Sequence, residues 1–301
     1  MFFSSTRCSR FAGWLVLFML PLSACKNEDT LSANEALQAI QRATWTAAML
    51  QQAHQVVEPW RALNAGFNEE TLLQVVSDQF GECAEVSTTD ADGTRWRVDT
   101  NAHCEQESTR CAGTFELQTQ NASDASNAPW VKIENYLLQC DGVAVEQGTL
   151  RFRNATLPQD ERPALEIDFR DLAYNATQSD TLAAEDFDGR AYFIDDHVQA
   201  NEDGATFPAT LVQGEASFQD SGAQRTWAIT MENLALYGQS STPRGGALRM
   251  RTVGTNLYDF KSTWLPLTEF STRVTIRNGR DVWVGCISHD ARDLCNAPAA
   301  P

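Results

Sequence analysis

Val131-Lys132-Ile133-Glu134-Asn135-Tyr136 decides the fold, because the chain writes it more than once. It recurs as Ile167-Asp168-Phe169-Arg170-Asp171-Leu172 and as Ile229-Thr230-Met231-Glu232-Asn233-Leu234. Apolar residues alternate with polar ones, which on a strand sends Ile133, Phe169 and Met231 to one face and their charged neighbours to the other. Each copy is followed by a second form opening on glycine: Gly148-Thr149-Leu150-Arg151-Phe152, Gly189-Arg190-Ala191-Tyr192-Phe193 and Gly246-Ala247-Leu248-Arg249-Met250. Gly113 and Gly214 open two further copies. Positions 133, 169 and 231 stand 36 and 62 residues apart, and the longer step leaves room for the Gly214 copy. The body therefore reads as consecutive β-hairpins built from a degenerate repeat, with glycine allowing a turn or bulge at the start of each second strand.

The same period of two extends outward, through Thr114–Leu117 and Arg95–Val98 towards about residue 84, and forward to Arg277-Asn278-Gly279-Arg280. That last stretch is a hairpin turn joining Val274–Ile276 to Val282–Val284. Before residue 84 the period becomes helical. Ser32-Ala33-Asn34-Glu35 fits a capping box, Leu37, Ile40, Ala47, Leu50, His54 and Val57 follow at helical spacing, and Pro59 stops the pattern. Gly66 and Asn68 mark a link, and a second helix is predicted near residues 69–80. The expected fold is α+β and mostly β: an N-terminal helical hairpin (32–82) packed on a curved, disulfide-stapled antiparallel β-meander (83–295), with a frayed tail at 296–301. The repeat resembles that of secreted bacterial β-meander lipoproteins with no assigned function. A helix-covered curved sheet is also similar in general plan to outer-membrane lipoprotein carriers, an analogy of fold alone.

Residues 1–24 read as a processing segment. Arg7 and Arg10 form a positive n-region, Phe11–Leu22 a short apolar run broken by Pro21, and Ser23-Ala24 a small-residue step before Cys25. Leu22-Ser23-Ala24-Cys25 resembles the lipobox of bacterial lipoproteins, which implies cleavage before Cys25, lipidation of its thiol and an anchor in the membrane. Residues 25–31 form the tether. Lys26 after the cysteine implies the outer membrane, facing the periplasm.

Removing Arg7 and Arg10 leaves 21 Lys+Arg against 40 Asp+Glu, a net charge of −19 for the processed chain. Nucleic acid binds through phosphate neutralisation by Lys and Arg, so this balance excludes it as a partner. It also argues against an anionic lipid surface as partner. Six cysteines remain after Cys8 and Cys25: Cys83, Cys104, Cys111, Cys140, Cys286 and Cys295. An even number in an exported chain reads as three disulfides, with 15 possible connectivities. Proximity favours Cys104–Cys111 and Cys286–Cys295, leaving Cys83–Cys140. There is no Cys-x-x-Cys pair, and neither a metal nor a cofactor is expected.

Catalytic motifs are missing from the processed chain: no Gly-x-Ser-x-Gly, no Ser-x-x-Lys, no His-Glu-x-x-His. Of the four histidines, His54 falls on the apolar stripe of the first helix and reads as a packing residue. His289 lies in the Cys286–Cys295 loop, and His103 and His197 have no partner at ligand spacing. Asp90-Ala91-Asp92-Gly93 begins like a calcium loop but has Asn101 where the bidentate glutamate belongs, so it reads as a turn. Asn201-Glu202-Asp203-Gly204 reads likewise. Asn121, Asn154 and Asn175 open sequons and read as turn residues. The tryptophans are assigned to the core, except that Trp264-Leu265-Pro266-Leu267 is expected to form an apolar loop and contact surface. The function expected is a non-catalytic envelope lipoprotein that binds an apolar ligand or another envelope protein, or plays a structural part. The alternative is an envelope hydrolase with two carboxylates converging in one cleft.

Overall fold

The computed structural model describes residues 31–64, 68–91, 94–100, 111–120, 130–140, 143–157, 161–175, 184–202, 204–220, 224–237, 240–254, 258–268, 271–288 and 294–295. Residues 1–30, with the expected export signal and Cys25, and residues 296–301 lie outside them. Two helices, α1 (Ala33–Val57) and α2 (Glu69–Phe80), precede a single sheet, with a 3-10 segment (Glu58–Asn64) between them and a 3-10 turn (Gly81–Cys83) after α2. The strands are β1 (Ala84–Thr88), β2 (Arg95–Thr100), β3 (Cys111–Gln120), β4 (Trp130–Cys140), β5 (Val143–Thr156), β6 (Pro163–Asn175), β7 (Ala184–Ala200), β8 (Thr206–Asp220), β9 (Arg225–Tyr237), β10 (Ser240–Thr252), β11 (Asp259–Thr268), β12 (Ser271–Asn278), β13 (Asp281–Ser288) and β14 (Leu294–Cys295). Each strand pairs with the next in sequence, all antiparallel, in one 14-stranded meander.

Register turns the repeat into a core. Ile133 pairs with Leu150, and Leu150 with Phe169; Met231 pairs with Leu248. All five are buried and form one continuous cluster with the helical residues. The repeat glycines do not begin their strands, as the sequence suggested. β5 starts at Val143, β7 at Ala184 and β10 at Ser240, so Gly148, Gly189 and Gly246 lie inside them, at or beside breaks in register. At Gly246, φ is +82° and an added Cβ would meet the Asn233 carbonyl oxygen at 2.0 Å. Its counterpart Asn233 itself has φ +51°. These are β-bulges, which bend and twist a strand.

The helix caps match the sequence. Ser32 Oγ accepts from Glu35 N–H at 3.3 Å while the Glu35 carboxylate accepts from Ser32 N–H at 3.2 Å. Pro59 ends the α-helical pattern, and Asn68 caps α2 by accepting from Thr71 N–H. The two helices do not fold back as a hairpin. α1 crosses β10, β11, β6 and β5; the 3-10 segment sits over β5 and β4; α2 reaches β1 and packs on the 3-10 segment. Strand spacing of about 4.8 Å makes a 14-stranded sheet roughly 60 Å wide, so its apolar face needs helices laid end to end. Arg42 fixes where α1 docks: its guanidinium lies 3.1 Å from the buried Asp220 carboxylate and 4.7 Å from the centre of the Trp227 ring. Among the described residues no helix is long and apolar enough to cross a membrane.

A meander puts alternate connections at the same end of the sheet. The β8–β9, β10–β11 and β12–β13 connections share one end, and the described chain begins there, with Leu31 N–H donating to the Val282 carbonyl at 3.2 Å. At the opposite end the β7–β8 hairpin reaches over the outer face. Glu202 N–H donates to the Pro266 carbonyl on β11, and its carboxylate lies 2.9 Å from Arg273. Beneath this hairpin Leu157, Ile194, Phe207, Leu211 and Ala235 form a second, smaller apolar cluster.

Candidate functional site

Two clusters of charged side chains draw on several elements each. The first lies where the helical layer meets β7. Helical spacing puts His54 and Glu58 one turn apart, and the 3-10 segment carries Arg61 to the same side. A register break between Ile194 and His197 brings Asp195 to meet them. His54 Nε2 lies 3.3 Å from Asp195 Oδ1 and 3.6 Å from Glu58 Oε2, and the imidazole stacks on Phe193. Arg61 donates to Asp195 Oδ2 at 2.7 Å and to Asn154 Oδ1 at 3.1 Å, and Thr210 Oγ1 donates to Asp195 Oδ1 at 3.3 Å. The His54 contact, backed by Arg61, outweighs the opposing effect of burial and holds the Asp195 carboxyl at about 2.

One ligand atom each from His54, Glu58 and Asp195 lies within 4.8 Å of the others, a spacing a divalent ion could bridge. The Arg61 guanidinium already supplies the positive charge there. An aspartate ionised down to about pH 2 is a poor general acid. The arrangement suits a clamp that joins the end of α1 to β7.

The second cluster is on the outer face of β4–β7. Glu166 and Asp168 are buried there, 1 % and 6 % exposed. Arg153 Nε lies 2.7 Å from Glu166, and Arg190 spans both acids, at 3.2 Å from Glu166 and 2.5 Å from Asp168. Arg151 completes the pairing with Asp168, and Tyr192 Oη donates to Glu166 at 3.2 Å. Trp130 roofs the network, with the Arg153 and Arg151 guanidiniums 4.4 and 5.0 Å from its ring centre. Together with Asp220 on Arg42, each of these buried carboxylates meets an arginine.

Of the residues singled out in the sequence, His54 and Asn154 meet in the first cluster, through Asp195 and Arg61, and the others are not brought together. Trp264-Leu265-Pro266-Leu267 is no loop but part of β11. Trp264 is 2 % exposed and donates to Ser262 Oγ, Pro266 is buried, and only Leu265, 43 % exposed, turns outward. Pro266 is tolerated because the β10–β11 ladder stops at the Gly246–Trp264 pair, so beyond it no β10 partner needs its missing N–H. Cys83 and Cys286 are buried. The register sets Cys286 opposite Cys295 and Cys111 opposite Cys140; Cys104 lies outside the described residues, as do Cys25, His103 and His289. Asp90 Oδ1 accepts from the Thr94 and Arg95 N–H groups, and Asn201 Oδ1 from Ala205 N–H, the turns the sequence suggested. Asn154 and Asn175 are strand residues instead of turn residues, and Asn121 is outside the described residues.

Sequence reasoning missed both clusters. The first left one readable trace, the polar run Asp195-Asp196-His197 that breaks the alternation of β7. The second left the charged positions of the repeat, read only as solvated. No family model, curated protein or solved structure matches this chain.

Proposed function

We propose that the protein is an envelope lipoprotein, lipidated on Cys25, held at the outer membrane facing the periplasm, with a non-catalytic binding or structural role. The observation that carries this is the position of Leu31. The fold starts six residues after the lipobox cysteine, hydrogen-bonded to β13. Six residues reach about 20 Å at full extension, so an anchor on Cys25 holds the body close to the membrane. The pairing of Glu166, Asp168 and Asp220 with arginine favours this reading over the carboxylate hydrolase, which needs an acid free to carry a proton.

The fold is stapled by three disulfides in this reading. Residues opposed in an antiparallel pair have Cα atoms about 4.5–5.5 Å apart, inside the range a disulfide spans. Register therefore supports Cys286–Cys295 and Cys111–Cys140, which leaves Cys83 for Cys104. The partner is an apolar ligand or another envelope protein.

Labelled palmitate should enter the wild-type chain and not Cys25→Ser; label in both, or in neither, defeats the anchoring. A pull-down of the lipidated protein from detergent-solubilised envelope, read for proteins and lipids, then distinguishes the two partners. A stoichiometric protein indicates an assembly component and a co-purifying lipid a carrier, while turnover of an envelope polymer by the purified chain would remove the non-catalytic role.

A further inference from the structure

The net charge of −17 speaks against an anionic surface as partner only if it is spread evenly, and on this sheet it is not. The end where Leu31 meets β13 carries Arg225, Arg251, Arg277 and Arg280, at the margins of the β8–β9, β10–β11 and β12–β13 connections. The last three are exposed, and none of the four forms an ion pair among the described residues. Asp281 is the exposed acid beside them; Asp220 is buried on Arg42 and Asp259 is paired with Arg249. Val253, 57 % exposed, is the first residue of the β10–β11 connection. At the opposite end, Glu202 of the β7–β8 hairpin is already paired with Arg273. The end at which the described chain begins thus carries a surplus of exposed arginine.

We infer that this arginine-bearing end docks on anionic lipid headgroups and sets the orientation of the body on the membrane. The inference rests on the anchoring proposed above. The tether contributes Lys26 against Glu28 and Asp29, so attraction must come from the turns. A leash of about 20 Å permits the turns to reach the surface, where headgroup attraction acts within a Debye length of about 10 Å. Each arginine brought there favours docking by roughly fivefold. Docking at this end leaves the outer face and the β7–β8 hairpin open to the periplasm.

The test uses the full lipidated protein in vesicles of phosphatidylcholine alone or mixed with phosphatidylglycerol. Flotation with the neutral vesicles checks the anchor; if the protein does not float, the anchoring fails and the docking with it. Hydrogen exchange then checks orientation. Residues 224–226, 252–254 and 278–281 should be protected only in the mixed vesicles, with residues 201–205 unchanged. The triple variant Arg251→Gln, Arg277→Gln, Arg280→Gln should still float but lose docking on the order of a hundredfold, and high salt should do the same to the wild type. A protein that floats yet exchanges identically at both ends in the two lipids overturns the docking and leaves the anchor standing.

Discussion

The two faces of the sheet bury comparable residues by opposite means. The inner face is apolar and needs a cover: Ile133, Leu150, Phe169 and Phe193 are closed off by α1 and the 3-10 segment. The outer face of the same strands has no helix, yet Glu166 and Asp168 are as buried as core residues, sealed by arginines lying between them and Trp130. A one-residue step along β6 moves from Phe169 to Asp168, from dispersion and water exclusion to a saturated ionic network. The difference teaches that alternation in this chain does not separate buried from solvated; it separates two kinds of burial.

Breaking the inner face should have the largest effect. Phe169 stacks on Phe187 at 4.8 Å, and Phe187 meets Trp45 of α1 edge-on at 5.4 Å. Phe169→Ala removes the middle of a sheet–sheet–helix stack and leaves a cavity that fully buried neighbours cannot fill, a cost of about 3–5 kcal/mol. A urea titration should show the unfolding free energy falling by that amount; a loss well under 1 kcal/mol would mean that the helical layer is not closed over this part of the sheet. On the outer face Asp168→Asn keeps shape and removes charge. It leaves Arg151 and Arg190 to rehydrate, as their partial exposure allows, so the expected loss is about 3 kcal/mol, the low end for breaking a buried pair. If Asp168→Asn is neutral, the outer network is decoration and the comparison collapses to an ordinary one-sided sheet.

How far this was legible depends on the range of the interaction. The Ser32–Glu35 box, the Asn278-Gly279 turn and the inward residues of the repeat depend on neighbours within a few positions, and they stand where the sequence places them. The bulges were only half legible. Gly148, Gly189 and Gly246 announced an irregular backbone, but their mid-strand position follows from the partner's carbonyls, as Asn233 shows at Gly246. Trp264 was misread because Pro266 signals a loop unless the neighbouring ladder is known to have ended. The clamp joins His54 to Asp195 and the outer network joins Trp130 to Arg190, contacts made only once the register of intervening strands is fixed. Nor does local pattern reveal that the apolar face is wider than a helical hairpin, which is what lays α1 and α2 end to end.

The seam between helices and sheet offers a smaller, pH-dependent test. Asp195 is held at about 2, below its ordinary value of 3.8. A depressed carboxyl stabilises the fold fully above its unfolded value, and that contribution is lost as pH falls from about 4 towards 2. The shift corresponds to about 2 kcal/mol. Asp195→Asn should remove this part of the acid sensitivity, so the gap between wild type and variant in urea midpoints should narrow from pH 5 to pH 2.5. A gap that stays constant would mean that Asp195 is as ionised in the unfolded chain as in the clamp.

The smallest effect is expected where the outer face is charged but open. Lys261 lies 2.7 Å from Glu232, as short as the Arg153–Glu166 contact, yet both partners are roughly half exposed. Water screens them and each long side chain gives up freedom to hold the pair, so such bridges contribute under about 1 kcal/mol. Lys261→Gln should therefore leave the urea midpoint almost unmoved while Asp168→Asn lowers it clearly. If the two variants lost equal stability, depth of burial would not be what distinguishes the outer-face ion pairs, and the Trp130 roof would have no part in strengthening the network beneath it.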